Sequence, residues 1–268
     1  RKSLLVVQIW HALGALKKFG YSILDEGEGH SRKISEAMNM HRHYDMIISS
    51  STLCAPYFAE AFNYGLETVE IASLPRVDLL TDQEYQKKVK ERILKQYPAL
   101  ADRETIVYAP TFCCNPYSLK NFGREKEVLE LNRRLVALSK EAVGGKAYIA
   151  GDMTTTGKML EPRGEMSFDA LYEIYREQAK ALAEAGVDLF AVETMLGVDE
   201  TTVALDAIQS VCDLPVICTL SVEADGSAYY DGNAVEAVET LQGMGAAAVG
   251  VNCSVGPDQL LAVVASMK

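Results

Sequence analysis

The stretch SFDALYEIYREQAKALAEAGVDLFAVETM, residues 167–195, decides the fold. Ser167 supplies a hydroxyl for an N-cap, apolar residues recur every three or four positions through 168–185, and Gly186 supplies a left-handed stop. Asp188-Leu-Phe-Ala-Val-Glu193 then reads as a short strand that is apolar on both faces, as a strand covered on both sides should be. A helix that returns at once to such a strand is part of the βαβ pattern of parallel α/β folds.

The same alternation extends in both directions. Strands are predicted at 4–9, 45–50, 68–72, 105–109, 147–151, 188–193, 215–220 and 247–252, and helices at 30–42, 55–64, 82–97, 124–143, 168–185, 199–211 and 232–244. Eight strands is the number that a (β/α)₈ barrel requires. The charged stretch 82–103, with Pro98, reads as the linker, and no period of 20–50 residues repeats. The chain opens on Arg1 and an apolar run, Leu4 to Ile9, and ends in Gln259-Leu-Leu-Ala-Val-Val-Ala-Ser, a helix in progress. Both ends read as interior to a fold, with no secretory signal pattern at the start.

Composition narrows the function. At 49% hydrophobic and 24% charged residues the chain is globular, and no apolar run approaches the roughly 18 residues of a membrane helix. Six cysteines in 268 residues are too sparse for a disulfide scaffold, which points to a reducing cytoplasm. A net charge of −11 argues against nucleic acid as a partner. Residues 1–112 hold 14 basic and 14 acidic residues, so the whole excess lies beyond them, whereas all four histidines lie in the first 43 residues. That asymmetry suggests two segments of different origin.

The first predicted strand ends in Gln8-Ile9-Trp10-His11, and a histidine at the carboxyl end of a parallel strand lies where α/β folds bind ligands. A neutral imidazole there can take the proton of a hydroxyl attacking phosphorus, and Lys17-Lys18 can hold phosphate charge. Packing of His11 against Trp10, and a solvated face at the two lysines, are the alternative readings. The blocks VQIWHALGALKKFGYS, YDMIISSS, APYFAEAF, LPRVDLL and IVYAPTF, in that order over residues 1–112, resemble the CDP-glycerol glycerophosphotransferase family of teichoic-acid-type polymerases. The resemblance implies a two-lobed glycosyltransferase fold, His11 as catalytic base, and Pro75-Arg76 with Asp78 lining the cleft. The sequence has Trp-His-Ala where the family has Trp-His-Gly, and nothing of the nucleotide-binding lobe follows IVYAPTF.

From Ala109 onward the blocks APTFCCNPYSLKNFG, AYIAGDMTTTGKML, AGVDLFAVETM, PVICTLSVEADG and GAAAVGVNCSVGPDQL resemble the homocysteine S-methyltransferase domain, in particular the barrels of cobalamin-dependent methionine synthases. This resemblance implies a (β/α)₈ barrel with its site at the carboxyl ends of the strands. It implies Glu193 on the substrate amino group, Asn252 and Asp152 as further substrate-binding residues, and Cys253 as a zinc ligand. Zinc would stabilise the homocysteine thiolate that accepts the methyl group. The family's Gly-Gly-Cys-Cys block, which supplies its other two thiolates, is absent from this sequence, so the zinc site is expected to be incomplete here. Cys113-Cys114 is a substitute pair only if the second-strand loop can reach Cys253, and vicinal loop cysteines are more often bystanders. Cys54, Cys212 and Cys218 read as small buried hydrophobes.

The expected architecture is therefore α/β: a Rossmann-like glycosyltransferase half-lobe over 1–104 joined to an incomplete (β/α)₈ TIM barrel over 105–268. A single hybrid eight-stranded barrel is the alternative. The implied substrate is homocysteine, with a methyl donor carried on cobalamin by a corrinoid domain or protein absent from this sequence. The other functional readings are glycerophosphate transfer and a fusion that is catalytically incomplete in both halves.

Overall fold

The computed structural model describes residues 4–12, 14, 15, 18–25 and 30–268. Backbone contacts divide the chain into two compact units, Arg1–Asp102 and Arg103–Lys268.

In the first unit β1 (Val7–Ile9), β2 (Met46–Ser49) and β3 (Val69–Ile71) form a parallel sheet in that order. Parallel neighbours need a crossover of a dozen or more residues. Between β1 and β2 it carries α1 (Arg32–Ala37), and between β2 and β3 it carries α2 (Ala55–Phe62). The core is small and aromatic: Ile47, Phe58 and Phe62 are buried, with Trp10, Phe19 and Tyr44 packed on them. Two short helices follow β3, α3 (Pro75–Thr81) and α4 (Gln83–Gln96), and no residue of α4 is buried. The first predicted helix, 30–42, shrinks to Arg32–Ala37 because Asn39, His41 and His43 all take positive φ, which ends an α-helix.

The second unit is built of five parallel strands in chain order, β4 (Ile106–Tyr108), β5 (Tyr148–Thr154), β6 (Leu189–Met195), β7 (Val216–Leu220) and β8 (Ala248–Val251). Between and after them run α5 (Pro116–Leu119), α6 (Val128–Val143), α7 (Phe168–Ala185), α8 (Val198–Gln209), α9 (Ala234–Gly243) and α10 (Pro257–Ser266). The α7 signals read from the sequence are all used. Ser167 Oγ accepts from the Ala170 N–H at 3.3 Å, and Gly186 closes the helix at φ 75°. Leu171, Tyr175, Gln178, Ala179 and Leu182 form the buried stripe. Gly151 lets this helix lie close on β5, since a Cβ there would stand 3.0 Å from Leu182 Cδ1.

The sheet's two faces are unequal. Ile149, Met153, Phe190, Val192, Cys218 and Leu220 pack against the helices in the main core, whereas Ala150, Leu189 and Ala191, with Ile217, form a separate small cluster on the other face. Asp152 and Glu193 belong to that second face by alternation along β5 and β6. The described strands thus form two sheets, of three and five strands, rather than the single hybrid barrel. Among the described residues, no helix is long and apolar enough to cross a membrane.

Candidate functional site

The carboxyl ends of β5, β6 and β8 bring together three of the residues singled out in the sequence. A bulge between Val192 and Met195 breaks the β6–β7 register, and Thr194 takes φ 59° there, a conformation that costs a β-branched residue energy. The Asn252 side chain holds this strained point. Its Oδ1 accepts from the Thr194 N–H at 3.0 Å, and its Nδ2 donates to Thr194 Oγ1 at 3.1 Å and to Glu193 Oε2 at 3.2 Å. Across the other edge of β6, Thr154 Oγ1 donates to the Glu193 carbonyl at 2.8 Å. Glu193 is therefore fixed from both neighbouring sides, and its Oε1 receives no hydrogen bond from the described residues.

Asp152 is 6% exposed, and its Oδ1 has no hydrogen-bond partner among the described residues. Burial, with the charge of Glu193 added, pushes its pKa up to about 8. Burial raises Glu193 as well, and raises the Tyr108 phenol on β4, where the charges of Glu193 and Asp152 add to the effect. Thr219 on β7 contributes a second buried oxygen without a partner among the described residues. Unsatisfied buried polar atoms cost roughly 1–3 kcal/mol each, so a cluster of them at strand ends is a site held ready for a ligand's polar groups.

One polar cluster escaped the sequence reading. Glu200, in the first turn of α8, is 2% exposed. Its Oε1 accepts from the Thr156 N–H at 2.8 Å, Thr156 Oγ1 at 2.7 Å and Tyr175 Oη at 2.7 Å, and its Oε2 accepts from Thr155 Oγ1 at 2.5 Å. Tyr175 Oη also lies 3.2 Å from the Thr154 carbonyl. An acid in a first helical turn is ordinarily accounted for by the helix dipole. The sequence signal was instead the tyrosine inside the buried stripe of α7.

The profile of the homocysteine S-methyltransferase family matches residues 61–268, a stretch that begins inside the first unit and takes in all of the second. The chain belongs to the homocysteine S-methyltransferase family. Its fold is similar to that of the homocysteine methyltransferase MmuM from Escherichia coli in a metallated form, with a TM-score of 0.50 at 18% identity over 68% of this chain and 67% of that one. A second likeness accompanies the first. The chain is 33% identical over 135 residues to a teichoic acid ribitol-phosphate primase and 36% identical over 143 residues to a teichoic acid poly(ribitol-phosphate) polymerase, both of Bacillus spizizenii. It spans 35% and 22% of the lengths of those two relatives, and these matches cover 50% and 53% of this chain.

The zinc implied by the methyltransferase resemblance does not fit the described residues. Cys253 is exposed, at φ 48°, and no three His, Cys, Asp or Glu side chains among the described residues converge as a metal ion requires. A protein zinc ion takes four ligands, or three and a water. Cys114 is buried and its thiol is pushed up to about 11, mainly by burial, which disfavours the thiolate that a metal binds. Of the other cysteines, Cys218 is buried, with its pKa pushed up to about 12, while Cys54 and Cys212 are half-buried.

In the first unit His11 stands two residues beyond β1 and is exposed, its ring 4.2 Å from that of Trp10, which in turn stacks on Phe19. The contact with Trp10 is the one the packing reading of His11 expects. Asp78 accepts from Ser73 Oγ at 3.2 Å beyond the carboxyl end of β3. Lys17 and the side chain of Arg76 lie outside the described residues.

Proposed function

We propose that the second unit binds homocysteine as part of a methyl-transfer site, with the substrate ammonium on Glu193. In this reading residues 105–268 form five consecutive βα units of a (β/α)₈ barrel, and residues 1–104 form a Rossmann-like half-lobe of glycosyltransferase type. The observation that carries it is the Glu193 carboxylate, held by Asn252 at the carboxyl end of β6, with no hydrogen bond from the described residues to its second oxygen. An ammonium meeting that oxygen forms a charge-assisted hydrogen bond. Asp152, on the same face, offers the next acceptor, and Asn252, whose side chain bonds to Glu193 and Thr194, serves substrate binding by orienting them. The resemblance gives Cys253 as a zinc ligand, and methyl transfer through zinc would need ligands beyond it.

Calorimetry with homocysteine tests the reading. Glu193→Gln removes a charged partner worth roughly 1.5–3 kcal/mol, about a ten- to hundredfold loss of affinity. Equal affinities for parent and variant would leave Glu193 structural.

The teichoic-acid relatives support a second reading, polyol-phosphate transfer with His11 as base. A positioned base contributes about 10²–10⁴-fold and acts only on reactants held beside it. The expected result is no transfer from CDP-glycerol by this chain. Turnover that disappears in His11→Ala would establish the second activity.

A further inference from the structure

We infer that Glu200 is a positioning residue for the ligand carboxylate Glu193, acting through the loop that follows β5. The inference rests on the homocysteine reading of Glu193 and adds to it a residue that touches neither ligand nor Glu193. Glu200 lies seven residues beyond Glu193, in the helix that β6 feeds, yet its side chain turns back to the neighbouring strand. Its two oxygens collect four donors from two places, the Thr155-Thr156 segment at the end of β5 and the Tyr175 phenol inside α7. Among the described residues no cation takes part.

The connection to Glu193 is short and made of hydrogen bonds. Tyr175 Oη, 2.7 Å from Glu200, is 3.2 Å from the carbonyl of Thr154, and Thr154 Oγ1 donates to the carbonyl of Glu193 at 2.8 Å. Thr154 is also the residue registered against Glu193 in the β5–β6 ladder. Glu200 therefore sets where β5 ends, and the end of β5 sets one of the two anchors of Glu193. The other anchor, Asn252, holds the side chain and the strained Thr194 from the β8 side. With the Glu200 anchor gone, Thr154 is free to turn and the bulge at Thr194 can relax, which moves the carboxylate away from the ammonium position. A charge-assisted bond weakens steeply once its angle and distance are lost.

A merely structural carboxylate would weaken every ligand alike, so the test compares two. L-Homocysteine and 4-mercaptobutanoate, which differ only in the amino group, are titrated by calorimetry into the full chain, Glu193→Gln, Glu200→Gln and Thr155→Val, with thermal unfolding recorded for each. Thr155→Val removes one donor and no charge, so it serves where Glu200→Gln does not fold. The expected result is that the preference for homocysteine over 4-mercaptobutanoate falls about tenfold in a folded Glu200→Gln, or measurably in Thr155→Val, toward the value of Glu193→Gln. An unchanged preference in folded Glu200→Gln and Thr155→Val, while Glu193→Gln loses it, overturns the positioning role and leaves the homocysteine reading intact. Equal weakening of both ligands likewise makes Glu200 structural only. A parent chain without any preference overturns the homocysteine reading, and this inference with it.

Discussion

Replacing Asp152 by Asn should make the second unit more stable at neutral pH, and the gain should depend on pH in a way the structure fixes. The carboxyl is 6% exposed with an oxygen that none of the described residues satisfies, and its pKa stands at about 8 in the folded chain against about 3.9 unfolded. Between those values the folded state holds one more proton than the unfolded state. A raised pKa means that Asp152's contribution is greatest below pH 4 and is lost as the pH rises toward 8, at about 1.4 kcal/mol per pH unit. Asn has no such titration. The stability difference, Asp152→Asn minus parent, should therefore grow by about 3 kcal/mol from pH 5 to pH 7 and level off above pH 8. Glu193 is raised in the same direction, but it is present in both proteins and largely cancels in the difference. Urea titrations followed by circular dichroism measure it. The only tryptophan, Trp10, lies in the first unit, so its fluorescence isolates that unit's transition and the remaining change reports the second. Stability curves that run parallel from pH 5 to pH 8 would refute the reasoning, because they would mean that Asp152 is ionised in both states.

Two further expectations concern the metal and the fold. After dialysis the chain should retain well under one equivalent of zinc, because Cys253 stands without converging ligands among the described residues; stoichiometric zinc that disappears in Cys253→Ala would show that other ligands reach it. Ser167→Ala should cost about 1 kcal/mol in chemical denaturation through loss of the α7 cap, and an unchanged midpoint would show the cap to be idle.

The strands of the second unit were legible because each is a β-branched or apolar run between clear stops, and β6 runs from Leu189, one residue inside the predicted start at 188. Its last residues were not legible, since the bulge at Thr194 depends on Asn252, 58 residues later. β5 runs on to Thr154, past the predicted end at 151, because Met153 is needed in the core and Asp152 comes with it. α3 and α5 went unread: seven and four residues are too few to show a helical period, and both start at prolines, which signal a turn as readily as a first helical residue. Of the candidate site, Glu193 and Asn252 meet as neighbours in space, and Asp152 lies close enough for Glu193's charge to act on it. What joins them to the scaffold, Glu200 and Tyr175, carries no motif, because a buried polar latch is defined by partners that are scattered in sequence.

In both sheets the spatial order of the strands is the order in which they are synthesised. On a ribosome, each new strand of the second unit meets a partner that has already emerged, and no strand has to be held open for one made later. The sheet can therefore grow one rung at a time, its helix following each strand out. During that growth a single advancing edge is always bare, first β4, then β5, and so on to β8, and it is there that a pause in translation would leave the nascent chain open to pairing with a neighbour.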